Sequence, residues 1–333
     1  MGTEKRSGKN ILGFLFGSST SLVAIVLIIL LVVATVFSPY FLTFFNIQSL
    51  LRDIAFMAIV ACGQSLLLLI GELDLSVGKI ASLSGILGGL LMTKTGTPAP
   101  LAFAIGILIG AGLGFINGFL ITTLRINPMV ATIGMQGVYS GVTMVITKGQ
   151  AITNMPEQIL FIGQGNIGPI PIPFIIAVGV LVVVVFLVTK THFGRYIYAM
   201  GNSSEAARIM GINVGKMRIM VYCLTGLLSS TAGMMYLARL GSAQATIGTN
   251  WPMNSIAACV IGGIALTGGI GHPIGAFLGA MITCVISNVI VLFGVNIYWQ
   301  EAVNGIVVVI AIALPSLINI IKAKRRIKLI SAE

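Results

Sequence analysis

Ten apolar runs, each long enough to cross or enter a bilayer, dominate this 333-residue chain and decide what it can fold into. They fall at about 20–38, 54–70, 78–93, 101–123, 129–147, 172–189, 219–238, 254–267, 273–293 and 302–321. A bilayer core about 30 Å thick takes roughly 20 helical residues, fewer where a segment is re-entrant. With no water at that depth, such runs must satisfy their backbone groups internally, which makes them helices. The composition agrees: 57% of residues are hydrophobic and 8% charged, against about 25% charged in a soluble domain. The expectation is an all-α membrane protein, one transmembrane domain over 1–333.

Thirteen of the 19 basic residues fall in three places just outside apolar runs. Lys5, Arg6 and Lys9 precede the first; Lys190, Arg195, Arg208, Lys216 and Arg218 lie between the sixth and seventh; Lys322, Lys324, Arg325, Arg326 and Lys328 follow the last. By the positive-inside rule these segments are cytoplasmic. Ten spans then return both termini to the cytoplasm, with tails of about 1–19 and 322–333 and a cytoplasmic loop of about 190–218. The first run is too long for a signal h-region and lacks a small-residue cleavage site, so it reads as a retained span. Trp251 and the Tyr298–Trp299 pair fall on the outer side, as headgroup anchors. The short runs 78–93 and 254–267 occupy comparable places in the two halves, which suggests an inverted five-plus-five repeat.

Glycines at four-residue spacing describe how the helices meet. Gly106, Gly110, Gly114 and Gly118 share one face, and Gly85 with Gly89, Gly137 with Gly141 and Gly275 with Gly279 repeat the interval. Small residues let membrane helices approach closely. The four cysteines lie inside apolar segments without metal-ligand spacing, as buried hydrophobes do.

No engine for covalent chemistry is visible. "GINVGKM", 211–217, falls short of a phosphate-cradling loop by one intervening residue and by the hydroxyl that Met217 replaces. There is no G-x-S-x-G elbow, no H-E-x-x-H helix and no clustered His/Cys set, and His192 and His272 sit in interfacial loops. The long polar segment 194–218 instead predicts a short helix, capped by Ser203 or Ser204 with Glu205 in its first turn and bracketed by Gly201 and Gly211. It is either a helix lying in the headgroup region or a docking knob for a partner.

The stretch "GELDLSVGK", 71–79, places Glu72, Asp74 and Lys79 between two apolar runs. Three such charges on a lipid-facing helix would cost roughly 7–10 kcal/mol, so the helix breaks here. Asp74 or Ser76 is placed to cap the helix that starts near Val77, with gating, partner contact and proton coupling as the other roles for Asp74. The uncharged polar residues Gln64, Ser65, Asn117, Gln136 and Asn288 either line a cavity for a neutral solute or hydrogen-bond neighbouring helices.

Four motifs in order carry a resemblance. "GELDLSVG" (71–78), "GRYIYAMGNSSEAARIMGINV" (194–214), "NSIAACVIGGIALTGGIG" (254–271) and "GVNIYWQ" (294–300) resemble segments of the ribose/galactose-type permeases of ATP-binding-cassette importers, along nearly the whole chain. The resemblance implies a multi-pass subunit of the bacterial inner membrane that carries a monosaccharide. It implies a second permease copy, a homodimer in the simplest case, an extracytoplasmic sugar-binding protein and cytoplasmic ATPase subunits. This chain would need no cofactor, since ATP and magnesium sit on the ATPase partner. Gly194, Arg195, Gly201, Asn202, Glu205, Ala206, Ala207 and Gly211 would form the ATPase-coupling loop. Asp74, Ser76, Gly78, Asn254, Gly262 and Gly263 would mark helix breaks or gates. Glu72 and Asn254 depart from the usual small and acidic residues at their positions, which leaves the cargo open: a branched-chain amino acid, a nucleoside or an autoinducer is the alternative. An ion-coupled secondary transporter is the rival from another class.

Overall fold

The computed structural model describes residues 19–294 continuously and 299, 302, 305, 306, 309 and 313 singly. The expected basic tails, the Tyr298 anchor, most of the "GVNIYWQ" motif and most of the tenth span lie outside the described residues. Within them the chain forms α1 (Ser19–Phe37), α2 (Phe44–Leu69), α3 (Val77–Lys94), α4 (Ala99–Leu124), α5 (Pro128–Thr147) and α6 (Glu157–Gln164). A two-residue antiparallel hairpin follows, β1 (Asn166–Ile167) with β2 (Ile170–Pro171). The rest is α7 (Ile172–Lys190), α8 (His192–Asn202), α9 (Ser204–Ile209), α10 (Val214–Leu240), α11 (Trp251–Ile261) and α12 (Pro273–Leu292). Seven of these, α1, α2, α4, α5, α7, α10 and α12, are long and apolar enough to span a membrane. Helix α3 and the 11-residue α11 occupy the two short expected runs.

Local chemistry sets the ends. Asn127 caps α5 by accepting from the Met129 and Val130 amides, with Pro128 following as a first helical residue that needs no donor. Asn213 accepts from the Lys216 amide at the start of α10. Gly241, at φ +67°, closes α10 in the left-handed conformation that glycine adopts without strain. His272 accepts the Ile274 amide at Nδ1 and so has the ordinary polar role of capping α12.

Helix α2 starts ten residues before the apolar run that announces it. Its first turns carry Asn46, Gln48, Arg52 and Asp53, and these polar residues meet protein partners or a cavity instead of lipid. The hairpin and α6, which the apolar pattern did not predict, are tied to them: Arg52 donates to the Gln164 carbonyl and the Asn166 side chain.

The hub is α10, antiparallel to both α2 and α4. Asp53 pairs with Arg239, the Thr225 hydroxyl donates to the Gly63 carbonyl at 3.0 Å, and Glu72 pairs with Arg218 at 2.5 Å. Contacts at both ends and the middle therefore fix the α2–α10 register. On the α4 side the glycine ladder does what its spacing predicts. A methyl group on Gly106 would meet Met234, on Gly110 Ser230 and the Gly226 carbonyl, on Gly114 the Tyr222 carbonyl, and on Gly118 Ile219. Gly275 and Gly279 bring α12 against Gly262 and Ala258 in the same way, and Gly89 abuts Met155 and Ala243. Gly137 and Gly141 do not follow: among the described residues nothing lies within 4 Å of a methyl group at either, so they pack against none of the described helices.

Gly114→Ala is therefore expected to force two backbones apart and cost about 1–3 kcal/mol, the usual scale of overpacking. Gly137→Ala, facing open space, should cost nothing. Thermal unfolding of the two variants in detergent checks the contrast.

Candidate functional site

After α2 the chain runs without helix from 70 to 76, and after α10 from 241 to 250. These two breaks meet. A methyl group on Gly78 would collide with the Gly248 carbonyl, and one on Gly248 (φ +74°) with Gly78. The Lys79 ammonium donates to the Ala245 carbonyl and the Ser82 hydroxyl to that of Gln244. Gly78, in the first turn of α3 just after the first break, is thus the place where the 241–250 segment crosses.

Asp74 is fully buried, and it holds Ser76, the residue at the start of α3. Its Oδ1 accepts from both the amide (2.7 Å) and the hydroxyl (2.6 Å) of Ser76. Its Oδ2 accepts from the Asn117 amide at 3.2 Å, and Asn117 also donates to Ser76 Oγ at 2.8 Å. Ser76 holds the N-cap position of α3, but its hydroxyl makes no cap bond, because it is spent on Asp74. The Tyr139 hydroxyl lies 2.8 Å from Asn117 Oδ1, the Leu75 amide donates to Thr132 Oγ1, and the Tyr222 hydroxyl donates to the Leu73 carbonyl. Helices α5 and α10 thereby take over the Leu75 amide and Leu73 carbonyl that the break leaves without helical partners, while Asn117 of α4 holds the Asp74 and Ser76 side chains.

Where the break leaves α2, Glu72 and Arg218 border a cleft of about 410 Å³ whose other wall is Met200, Gly201, Asn202, Ser203 and Ser204. The polar segment built on this wall is α8 and α9. Gly194 is buried against the Val188 carbonyl, and Gly201 is wedged between the Leu69 carbonyl and Gly269. The Gly269 amide donates to the Leu69 carbonyl at 2.9 Å, and the Tyr198 hydroxyl to the Gly271 carbonyl at 2.7 Å. Asn202 folds back on the Tyr198 carbonyl. Of the two candidate serines, Ser203 caps α9, accepting from the Ala206 amide. Ala207 anchors α9 inward, while Arg195, Glu205, Ala206, Ile209 and Met210 are exposed. Gly211 turns the chain at φ +84°.

At the opposite end of α2 a cavity of about 1100 Å³ opens between α2, α10, α11, α12 and the 244–251 segment. One stripe of α2 lines it: Asn46, Ser49, Asp53, Phe56 and Met57. Of the five expected cavity residues only Asn288 belongs to it, held in a reciprocal amide pair with Asn46 (3.1 and 2.8 Å). Asn117 is in the Asp74 network, and Gln136 sits on α5, away from the cavity. Gln64 is fully buried with neither amide atom partnered among the described residues. Asn254 lies in the first turn of α11 and faces the cavity instead of marking a break; the break follows α11, at Gly262 and Gly263 (φ +83°), as expected. Trp251 packs its ring edge-on against Tyr236 in the cavity wall. Phe56, Tyr236 and Asp53 were missed at the sequence level, although Asp53 breaks the apolar pattern of α2 and could have drawn notice. Among the described residues, no three His, Cys, Asp or Glu side chains cluster to hold a metal.

Residues 46–312 match the family model described as "Branched-chain amino acid transport system / permease component". The chain is 40% identical over 291 residues to the ribose import permease protein RbsC of Bacillus subtilis (strain 168), covering 86% of this chain and 90% of that one. It is 33% identical over 319 residues to the fructose import permease protein FrcC of Rhizobium meliloti, covering 93% and 89%. It is 31% identical over 311 residues to the galactose/methyl galactoside import permease protein MglC of Escherichia coli (strain K12), covering 88% and 93%. No solved structure matches.

If Asp74 is structural, Asp74→Ala leaves the Ser76 hydroxyl and the Asn117 amide without their acceptor, at about 1–3 kcal/mol per stranded group. A lower melting temperature, with ATP-driven uptake retained in the milder Asp74→Asn variant and no proton-gradient dependence in wild type, is the expected result. Uptake that Asp74→Asn makes insensitive to an imposed proton gradient would assign Asp74 to ion coupling.

Proposed function

Because the chain belongs to the permease family of ATP-binding-cassette importers, we propose that it passes a monosaccharide inward, driven by ATPase subunits that grip α8 and α9. It is a multi-pass transport subunit of the inner membrane and catalyses no reaction of its own. Relatives named for ribose, fructose and galactose import support a sugar as cargo. Relatives named for autoinducer 2, and the family's branched-chain amino acid description, supply the alternatives. ATP and magnesium are bound by the partner, and the 190–218 segment with both tails faces the cytoplasm. The 1100 Å³ cavity then opens outward, to receive solute from an extracytoplasmic binding protein. A second copy of the chain completes the passage, and the full set of ten spans forms the inverted repeat.

The observation that carries this reading is the three-way contact of Gly201, the Leu69 carbonyl and Gly269. Helix α8 bears on the end of α2 and on the turn after α11 at once. Both α2 and α11 also wall the cavity at the far end. A push on α8 therefore reaches the cavity directly along α2, and by way of the 262–271 turn to α11. The exposed apolar pair Ile209 and Met210, 83% and 67% exposed at the tip of α9, offers the kind of surface that marks a protein contact.

Affinity-tagged chain purified in mild detergent should bring down its ATPase subunit, and Ile209→Asp with Met210→Asp should lose it. Gly201→Val should keep the subunit but lose ATP-driven uptake, since the added side chain pushes α8 off α2. Gly211→Pro and Glu205→Lys should also uncouple. Wild-type chain that purifies alone and still drives uptake in vesicles without ATP would overturn the importer reading.

A further inference from the structure

The bundle leaves Gln64 unserved. It is fully buried in the deep half of α2, and neither its Oε1 nor its Nε2 has a partner among the described residues. The hydroxyls of neighbouring turns are committed elsewhere. Ser65 donates to the Cys62 carbonyl, Thr225 to those of Gly63 and Val221, and Ser229 to that of Thr225. A stranded buried amide costs free energy that an apolar side chain of the same shape would not. Such a cost calls for a second use of the group.

The position of Gln64 on α2 indicates that use. An α-helix returns to the same face about every 18 residues, or five turns, so Gln64 shares a face with Asn46, Asp53 and Met57, which line the cavity. The face continues through Val60 and Leu67, both fully buried, towards Gly71, which borders the cleft. By the rise of a helix, Gln64 lies about 10 Å past Met57 and about 9 Å short of Ile70, another cleft residue. The flanking elements are shared as well. Gly63 packs on Thr225 of α10, and Cys259 of α11 donates to the Ala61 carbonyl at 3.4 Å. Helices α10 and α11 wall the cavity, while Arg218 of α10 and Thr267 of the turn after α11 border the cleft. One set of elements thus lines both openings, and between them it closes over Val60, Gln64 and Leu67.

We propose that cavity and cleft are the two ends of one passage with this face of α2 as a wall, and that Gln64 is the gate residue between them. In this conformation the gate is shut and the Gln64 amide is stranded. In the conducting conformation α10 and α11 part from α2, and the amide meets water or the hydroxyls of the cargo. The stranded amide raises the shut state towards the open one and so sets how readily the passage opens. This inference rests on the importer reading and adds to it where the passage closes and which residue tunes the closure.

Cys62 supplies an internal control, since it stands on the opposite face of α2 and is fully buried. The Gln64→Cys permease, reconstituted with its ATPase subunits and binding protein, is treated with a charged methanethiosulfonate, with and without ATP. Modification is read residue by residue by mass spectrometry. Modification at position 64 that rises with ATP, with Cys62 untouched, is expected. No modification at position 64 under turnover, or equal modification of Cys62, would overturn the inference. Gln64→Met, of nearly the same length, gives an independent measurement. It should raise the melting temperature yet slow ATP-driven uptake about tenfold, the scale of one hydrogen bond lost from the open state. A purely structural residue would change stability and leave uptake per folded molecule as it was. A lower melting temperature or unchanged uptake in Gln64→Met would therefore also overturn the gate. Wild-type uptake of D-ribose, D-fructose and D-galactose, measured in parallel, keeps the two readings apart. Its absence with ATP present removes the importer reading, whereas wild-type uptake with position 64 inaccessible removes only the gate.

Discussion

A chain can leave the helix inside a bilayer only where protein replaces the water that its peptide groups have lost. The segment 70–76 meets that condition, and much of the architecture follows from how it does so. Asp74 and Ser76 turn the backbone on itself, Asn117 and Tyr139 extend the network into α4 and α5, and Tyr222 and Thr132 take up the Leu73 carbonyl and Leu75 amide. Each of these side chains sits on a helix whose position is fixed independently by close glycine packing on α10, or by contact with a helix so packed. The break is thus supported by the bundle, and the bundle is aligned around the break.

The second unwound segment, 241–250, is supported differently. It lies on α3 by backbone contact at Gly78 and Gly248, with Lys79 and Ser82 donating to its carbonyls. The same segment walls the cavity. One crossing therefore links the buried Asp74 network to the surface that solute would touch. The Glu72–Arg218 pair lies at the α2 end of the break and borders the cleft against α8 and α9. A buried ion pair adds little stability by itself, because desolvation offsets the attraction. Its place here, between the α2 end and the α8–α9 wall, suits a register-setting contact better than a source of stability.

The glycines separate two meanings of one motif. Gly106 to Gly118 and Gly137 with Gly141 have the same four-residue interval, yet the first set holds α4 on α10 and the second touches none of the described helices. Spacing identifies a face that permits close approach, and it does not say whether a helix is there to use it. The polar residues within spans divide in the same way. Asn117 and Asn288 are equally uncharged and equally embedded in apolar sequence, but one stabilises a break and the other lines a cavity.

By itself the sequence determined that this is a helical membrane protein, because the length and apolarity of the runs leave no other way to satisfy the backbone. It also determined where helices end or break, since charges at 72–74, capping residues such as Ser203, and left-handed glycines such as Gly211, Gly241 and Gly263 act over a few residues. The order of its motifs was enough to identify a permease family. What only the tertiary structure decided is which residues meet. Asp74 finds Asn117 43 positions away and Asn46 finds Asn288 242 positions away. The cavity gathers Phe56, Tyr236, Trp251 and Asn254 from three helices, each unremarkable in its own span. Helical periodicity fixes the face on which a side chain stands, but the partner of that face depends on long-range packing, and no local pattern encodes it.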